Sequence, residues 1–364
     1  MAYFNIQYEP MKKFSLAVFE KMGFTAEESA IITDVLLTSD MYGIESHGVQ
    51  RMVRYYNTMK SGRLHMGAKW EIVHETPLSA VIDNHAGMGQ LVGHYAMNLA
   101  IEKAKKLGAG FVTVRNSNHY GIAGYYAKMA CNEGLIGMST TNSEAITVPT
   151  FGRMAMIGTN PIAIAMPAEP YDFLFDASTS VVTRGKVEVY NKKGAPLPEG
   201  WTINAEGKPC SNAAEVLKNI TDREGGGILP LGGGEELTGS HKGYGYGVVA
   251  EIFSSILSLG LTSSHTNIGN IGGTCHGFVA INPNLFGDPE EIKAKLSEFL
   301  TELRESPKAY GQTRIYTHGE KEVEAYERRL KEGIPVNSKT LEEMRAISTE
   351  FGVDMESYLG KIDF

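Results

Sequence analysis

The chain has 364 residues, of which 34 are basic and 42 acidic, so its formal net charge is −8. This length exceeds what one hydrophobic core usually serves and predicts two subdomains, while 42% hydrophobic and 21% charged residues indicate a globular protein and exclude wholesale disorder. The acidic balance argues against nucleic-acid binding, and no apolar run approaches the ~18 residues that a transmembrane helix needs.

The first 60 residues are patterned as helices. Thr25 and Glu28 form a capping box ahead of an apolar run, and Val49, Met52, Val53 and Tyr56 recur at helical spacing within residues 46–60. From Leu78 onward, short apolar runs alternate with helical patterns, which indicates an α/β core. The predicted strands of that core are 79–83, 110–114, 135–140, 161–166, 173–178 and 276–283, and its predicted helices are 89–107 and 122–132.

The rest of the chain differs in texture from this core. Residues 191–240 are rich in glycine and proline and predict a long surface excursion over a site, and a helix is expected over 242–258. Beyond Pro289 the chain becomes helical and strongly charged. We therefore predict a helical domain built from residues 1–75 and 285–364, and an α/β domain over 76–284.

The glycines after the first core strand do not form a conventional dinucleotide fingerprint. Gly87, Gly89 and Gly93 have a spacing one residue too long, and no acidic residue ends the next strand, so we reject a Rossmann fold. The sequence also lacks a Walker phosphate loop, an HExxH or CxxC metal motif and a GxSxG elbow. Cys275 has the elbow's spacing but leads into a strand, so we predict neither a metal site nor this nucleophile.

Two polar segments carry histidines. If residues 46–60 are helical, His47 and Arg51 lie about 40° apart on a face away from the apolar residues, at ~100° per residue. A histidine beside an arginine suits carboxylate binding, although a solvated helix face explains the pair equally simply. His119 follows three small polar residues between a strand and a helix, where α/β sheets place their chemistry. It is suited to taking a proton from an alcohol, and a capping turn is the alternative.

Three further segments have the polar side chains expected of ligand contacts: GTNP at 158–161, DASTS at 176–180 followed by Gly185-Lys186, and SHKGYG at 240–245. The last opens a helix, whose free N–H groups favour an anion. Each segment alone is a common polar turn.

The chain contains five motifs in a fixed order: SHG followed by Arg51, NSNHYG, GTNP, DASTS with GK, and HKGYG. Taken together and in this order, these motifs resemble those of the malate/L-lactate dehydrogenase-like oxidoreductases, also called type-2 malate/lactate dehydrogenases. The resemblance covers nearly the whole chain. It implies an NAD(P)-dependent oxidoreductase with a non-Rossmann NAD(P)-binding α/β core and an all-helical domain built from both termini. It also implies a homodimer with sites at the subunit interface, acting on 2-oxo or 2-hydroxy acids such as malate, lactate, sulfolactate, ureidoglycolate or diketogulonate, or on cyclic imino acids in one branch.

The motifs and the resemblance together nominate site residues. His119 is expected to be the proton acceptor, and His47 a second acid or a hydrogen-bond donor to substrate. The expected substrate-binding residues are Ser46, Arg51, Asn116, Thr159 and Asn160. The expected cofactor-binding residues are Asp176, Ser178, Thr179, Lys186, His241, Lys242, His318, Gly319 and Glu320. His318 stands where many members of the family have proline.

Malate is the substrate that we expect first, because a second carboxylate would find a cation in Lys186 or Arg153; lactate, ureidoglycolate or another 2-oxo acid is the alternative. NAD and NADP are not distinguished. A protein of another class, either a non-catalytic carboxylate-binding protein or a hydrolase, remains open. The three cysteines fit a reducing cytosol, and the N-terminus has no apolar signal-peptide core, so we expect a cytoplasmic protein without membrane partners.

Overall fold

The computed structural model describes residues 2–269 and 272–362. Its strands are β1 (Tyr3–Ile6), β2 (Glu71–Glu75), β3 (Ser79–Asp83), β4 (Ala109–Ser117), β5 (Ile136–Thr141), β6 (Ile162–Met166), β7 (Phe173–Ala177), β8 (Thr202–Ile203), β9 (Gly227–Ile228), β10 (Thr274–Ile281) and β11 (Ile334–Asn337). Its α-helices are α1 (Tyr8–Met22), α2 (Ala26–Met41), α3 (Met52–Lys60), α4 (Gly89–Leu107), α5 (Ala123–Asn132), α6 (Arg184–Lys193), α7 (Ala213–Asp222), α8 (Ser240–Glu251), α9 (Pro289–Glu305), α10 (Glu320–Glu332), α11 (Ser338–Glu350) and α12 (Met355–Leu359).

The main sheet has seven strands in the order β2-β3-β4-β10-β5-β6-β7. β3 and β4 are parallel, and the other neighbours are antiparallel. Helices α4 and α5 cover the sheet through a shared apolar cluster. Glycines allow this close approach, since a Cβ at Gly110 would lie 2.1 Å from the Ala100 carbonyl oxygen and one at Gly137 2.1 Å from that of Ala127. The predicted α/β fold is therefore confirmed.

Several element boundaries differ from the sequence prediction. β4 runs on to Ser117, because its pairing with β10 continues as far as Ser117 and Thr274, so Asn116 lies in a strand and not in a loop. β2, which the sequence did not predict, is mostly exposed and polar. The helix expected over 242–258 begins at Ser240 and changes at Ile252–Ile256 into a π-helical turn.

The segment 191–240 is more structured than a surface excursion. It contains α7 and the two-stranded β8–β9 sheet, and α6 and α7 close over a small core of their own. The sequence prediction missed this core although Ala213, Val216 and Ile220 recur at helical spacing within α7.

One apolar cluster contains residues from both ends of the chain, among them Ile6 near the N-terminus and Met355 near the C-terminus. These segments were predicted to be all helical, but β1 also pairs antiparallel with β11. The predicted capping box at the start of α2 is present, with the Thr25 hydroxyl accepting from the Glu28 N–H and the Glu28 carboxylate accepting from the Thr25 N–H. The division of the chain into a helical domain and an α/β domain, with boundaries at 75/76 and 284/285, stays a prediction. Among the described helices, none is both long and apolar enough to cross a bilayer.

Candidate active site

Two histidines from distant parts of the sequence meet at the centre of the candidate site. The His47 and His119 rings stack with their centroids 5.5 Å apart and their planes 25° from parallel. His47 lies in a 3-10 turn (Glu45–His47) after α2, and His119 lies in the loop after β4. The structure therefore brings together the two predicted proton-transfer residues.

The loop that carries His119 is fixed by its neighbours. The Asn118 side-chain amide donates to the carbonyls of Ala86 (2.8 Å) and Gly87 (3.1 Å). Gly89 opens α4 directly beneath the loop, where a Cβ would lie 2.2 Å from the Asn118 carbonyl oxygen. His276 of β10 supports the other side, with Nε2 lying 3.0 Å from the Ser117 hydroxyl. Its ring stacks on Tyr120 with centroids 4.2 Å apart.

The two ring nitrogens of His119 have different surroundings. Nδ1 lies 3.0 Å from the Tyr55 hydroxyl and accepts a longer contact, at 3.4 Å, from the Gly121 N–H. Nε2 has no hydrogen-bond partner within the described residues. The ring is thus held at Nδ1 and presents Nε2 to a ligand.

The segment before α3 is not the continuous helix that the sequence predicted. Gly48 separates two 3-10 turns, Glu45–His47 and Val49–Arg51, and α3 starts only at Met52. The buried Asp40 carboxylate occupies the space beside Gly48 and accepts the Val49 N–H at 2.8 Å. The calculated 40° separation of His47 and Arg51 therefore does not apply.

Arg51 and His47 still lie together, for a different reason. The Arg51 Nε–H donates to the Ser46 carbonyl at 2.5 Å, and the Ser46 hydroxyl lies 2.9 Å from His47 Nδ1. The terminal nitrogens of the Arg51 guanidinium have no hydrogen-bond acceptor in the described residues, so they are available to a carboxylate.

Burial and positive charge keep both histidines neutral. Desolvation, followed by the charges of Arg51 and Arg54, lowers the pKa of His47 to about 3. Desolvation, followed by Arg54, His47 and Arg51, holds the pKa of His119 well below its ordinary value. A neutral imidazole is the form that can accept a proton.

The sequence analysis missed three residues of this cluster: Arg54, Tyr55 and Gln90. Tyr55 is buried, and burial raises its pKa to about 12. The fully buried Gln90 side chain lies near Tyr55, yet its amide has no hydrogen-bond partner in the described residues. Arg54 and Tyr55 stand three and four positions after Arg51, a spacing that places them on one helical face. This spacing was the signal that could have identified them.

A cleft of about 940 Å³, within the size range of ligand pockets, is lined by Ser46, the residue before His47, and by Arg51. Ser46 and Arg51 lie on one side of it, and Thr183, Gly185 and Lys186 lie on the other, at the start of α6. Since α6 has no side-chain cap and Gly185 leaves its first turn open, N–H groups and a lysine are available there to an anion.

Most of the predicted cofactor-binding residues lie around the edge strand β7. The Asp176 carboxylate accepts the Gly124 N–H at 2.7 Å through Oδ2, while its Oδ1 accepts no hydrogen bond in the described residues. Burial raises the pKa of Asp176 to about 6. The His318 ring lies against Phe173 and Phe175, with centroid separations of 5.8 and 5.3 Å.

Three other nominated residues lie beside β7, and two more lie at the start of α8. A Cβ at Gly319 would lie 2.4 Å from the Asp172 carbonyl oxygen, which explains the glycine. Ser178 and Thr179 follow β7, and Thr179 faces Gly247 of α8. His241 and Lys242 are exposed in the first turn of that helix.

Four nominated residues have other roles in the structure. The Glu320 carboxylate is buried between Arg304 and Arg314; burial opposes its ionisation, but hydrogen bonds from Thr317 and both guanidinium groups lower its pKa to about 2. The other three also make internal contacts: the Asn116 amide donates to the Asp83 carboxylate, the Asn160 amide donates to the Gly247 carbonyl and the Glu251 carboxylate, and the Thr159 main-chain carbonyl accepts from the Thr179 hydroxyl. These four were nominated from motif position, which does not show which polar groups are already satisfied.

Arg153 is also remote from the role suggested for it, since its guanidinium donates to the Ala205 carbonyl at 2.9 Å and is exposed. Over residues 2–269 and 272–362, no group of three or more His, Cys, Asp or Glu side chains is placed to hold a metal ion.

Comparison with known proteins identifies relatives over nearly the whole length. A sequence model of the family described as malate/L-lactate dehydrogenase matches residues 6–345. The chain is 46% identical to a malate dehydrogenase of Pyrococcus abyssi, over 96% of each chain. It is 36% identical to an L-sulfolactate dehydrogenase of Methanocaldococcus jannaschii, over 96% of this chain and 98% of that one. The solved structure of an Entamoeba histolytica malate dehydrogenase has a TM-score of 0.93 at 36% identity, covering 97% of this chain and 99% of that chain.

Proposed function

The chain belongs to the malate/L-lactate dehydrogenase family and is an oxidoreductase acting on a CH–OH donor, and we propose on that premise that it interconverts malate and oxaloacetate with NAD or NADP. The observation that carries this proposal is the neutral His47–His119 pair beside the unpaired guanidinium of Arg51. The arrangement supplies a proton acceptor and a carboxylate clamp for a 2-hydroxy acid.

His119 is the residue that we assign to proton transfer. For Nε2 to accept the hydroxyl proton, Nδ1 must carry the ring hydrogen. The Tyr55 oxygen at 3.0 Å is the acceptor that favours this tautomer, in which Nδ1 gives up the longer, 3.4 Å contact from the Gly121 N–H. Arg51 binds the carboxylate next to the reacting carbon with its free terminal nitrogens. His47, with Nδ1 engaged by Ser46, donates or accepts a hydrogen bond at the same substrate.

Substrate binding itself strengthens the base. The pKa of His119 is held down partly by Arg54 and Arg51, and a bound carboxylate offsets this positive charge. The pKa therefore rises in the complex toward the range in which a histidine transfers protons efficiently.

The residues around β7 and α6 fit a nicotinamide dinucleotide. When bound, this cofactor supplies the hydride acceptor. The free Oδ1 of Asp176 suits a ribose hydroxyl, and Ser178 and Thr179 lie in the segment that leads to Lys186. Lys186 and the open first turn of α6 suit a diphosphate, and His241 and Lys242 offer further donors at the start of α8.

The assembly is proposed to be a homodimer in the cytoplasm. Tyr246, Val249, Ile252 and Ile256 form an exposed apolar face along α8 and the π-helical turn, and a contiguous apolar surface of this kind marks an interaction site. This helix also carries His241 and Lys242, so the interface would adjoin the cofactor.

The proposal is tested by following the absorbance of NADH and NADPH in the presence of oxaloacetate. We expect consumption of at least one cofactor, faster with oxaloacetate than with pyruvate or glyoxylate. No consumption with any of a broad panel of 2-oxo acids would favour a non-catalytic carboxylate-binding protein.

A further inference from the structure

Two arginines lie one helical turn apart where α3 begins. Arg51 is the residue that precedes the helix, and Arg54 is its third residue. A separation of three positions puts both side chains on the face that also carries Tyr55, whose hydroxyl contacts His119. The half-buried Arg54 side chain is close enough to act electrostatically on both histidines and on Arg51.

Neither charge is neutralised within the described residues. The acids nearby are already engaged, since Glu45 pairs with Arg329, and Glu144 and Glu188 both pair with Arg184. Two like charges on one helical face destabilise each other, and burial increases the free-energy cost of an unpaired charge. A pair that remains uncompensated in the free protein is suited to a ligand with two negative charges.

We propose that Arg54 binds the second acidic group of the substrate and so selects dianionic 2-hydroxy acids over monoanionic ones. This inference rests on the proposed function, which it extends by naming the substrate class. Arg51 holds the carboxylate next to the reacting carbon, and Arg54 holds a carboxylate or sulfonate on the adjacent carbon. Arg153, which the sequence suggested for this role, is exposed and engaged elsewhere.

The chemistry of discrimination follows from this placement. A methyl group in place of the second acidic group would leave the Arg54 guanidinium without its counter-ion in a partly desolvated site. A hydrogen bond to a charged group is worth enough to change affinity about 10- to 100-fold. The preference for oxaloacetate over pyruvate in kcat/KM should therefore depend on Arg54.

The test compares the wild type with Arg54→Gln and Arg54→Lys. Reduction of oxaloacetate and of pyruvate is measured with each protein, and Arg328→Gln, at an exposed residue of α10, controls for the loss of one positive charge. We expect Arg54→Gln to lower kcat/KM for oxaloacetate about 10- to 100-fold, chiefly through KM, with little loss for pyruvate. Arg54→Lys should be intermediate because it keeps the charge and loses the two-pronged geometry.

The outcomes are distinguishable. If the wild type reduces no 2-oxo acid, the proposed function fails. If the wild type prefers oxaloacetate and Arg54→Gln keeps that preference, only the role of Arg54 is wrong. An equal loss of kcat/KM for both substrates would also contradict the role of Arg54 in selecting the substrate. Arg54 would then act only through the pKa of the histidines, and the acid limb of the pH profile of kcat/KM would move for both substrates. Loss of the preference in Lys186→Gln instead would assign the second acidic group to Lys186.

Discussion

At the scale of single residues, the site depends on two histidines whose neutral form is kept well below the pH at which a free histidine becomes charged. His47 and His119 are neutral because desolvation and two guanidinium groups disfavour their charged forms. In the proposed mechanism, the same guanidinium groups attract the substrate, whose charge then makes His119 more basic. Binding and proton transfer are thus coupled through electrostatics.

Replacing the histidines separates their roles. We expect His119→Ala to lower kcat about 10²- to 10⁴-fold with little change in cofactor affinity, because it removes the group that accepts the proton. His47→Ala should have a smaller effect on kcat and raise KM. Steady-state kinetics of both variants with malate and oxaloacetate would check this, and near-normal turnover of His119→Ala with an inactive His47→Ala would reverse the assignment.

Tyr55 provides a test of the tautomer. In Tyr55→Phe, the Gly121 N–H is the contact that remains at Nδ1 of His119. This N–H can only donate, so it favours the tautomer with the ring hydrogen on Nε2. Nε2 is the atom that must accept the substrate's proton, and in this tautomer it cannot do so. We expect kcat to fall roughly 10²-fold while KM changes little, since a wrong tautomer impairs chemistry and not binding. Tyr56→Phe, at the neighbouring half-buried tyrosine, is the matched control and should be nearly neutral.

The sequence nominated His47, His119 and Arg51 for one site, and the structure brings them together through contacts that the sequence did not predict. Motif order is visible in one chain, whereas the contact of Tyr55 with His119 spans 64 positions and depends on where α3 begins. The nominations of Glu320 and Asn160 stay predictions. Their polar side chains sit in expected motifs, yet the fold has already satisfied them internally.

At the scale of elements, tertiary contacts determine the conformation of the turn between α2 and α3. Gly48 is required because a Cβ there would collide with the Asp40 carboxylate. Hydrophobic periodicity predicts a helix through this segment, but the buried hydrogen bond from the Val49 N–H to Asp40 outweighs it. The strands and helices of the core were predictable because short apolar runs alternate with helical spacing along the sequence.

Asp40 makes this turn sensitive to pH. Burial raises its pKa to about 7, opposed by the Val49 N–H and Arg329, with Glu45 adding to the rise. Because the pKa is higher in the folded than in the unfolded state, the folded protein holds this proton more tightly. The resulting stability is present below about pH 4 and is lost as the pH rises through 7.

We therefore expect Asp40→Asn to stabilise the protein by roughly 1–2 kcal/mol at pH 8 and to have little effect at pH 4. The amide oxygen can still accept the Val49 N–H, so the turn is kept. Chemical denaturation at both pH values measures the change, with the exposed Glu20→Gln as control. A destabilised variant at pH 8 would show that the charged carboxylate is required.

At the scale of the whole molecule, both ends of the chain build the part that supplies Arg51 and His47, while the central sheet supplies His119 and the predicted cofactor residues. β1 pairs with β11, and the apolar cluster formed by both ends of the chain packs against the segment around His47. A single chain thus contains every side chain of the histidine cluster. Among the apolar residues that it leaves exposed are those of the face along α8 and its π-helical turn.

That face leads to the prediction about assembly. Val249→Glu and Ile256→Glu place a charge in the proposed interface, where burial without a partner is costly, and should convert the dimer to a monomer at micromolar concentration in light scattering. Phe286→Glu changes an exposed apolar residue outside α8 and should leave the dimer intact. Because α8 begins with His241 and Lys242, the monomeric variants should also bind NADH or NADPH at least 10-fold more weakly. A wild type that is monomeric and fully active would contradict the homodimer, and monomeric variants with normal cofactor affinity would separate the interface from the cofactor site.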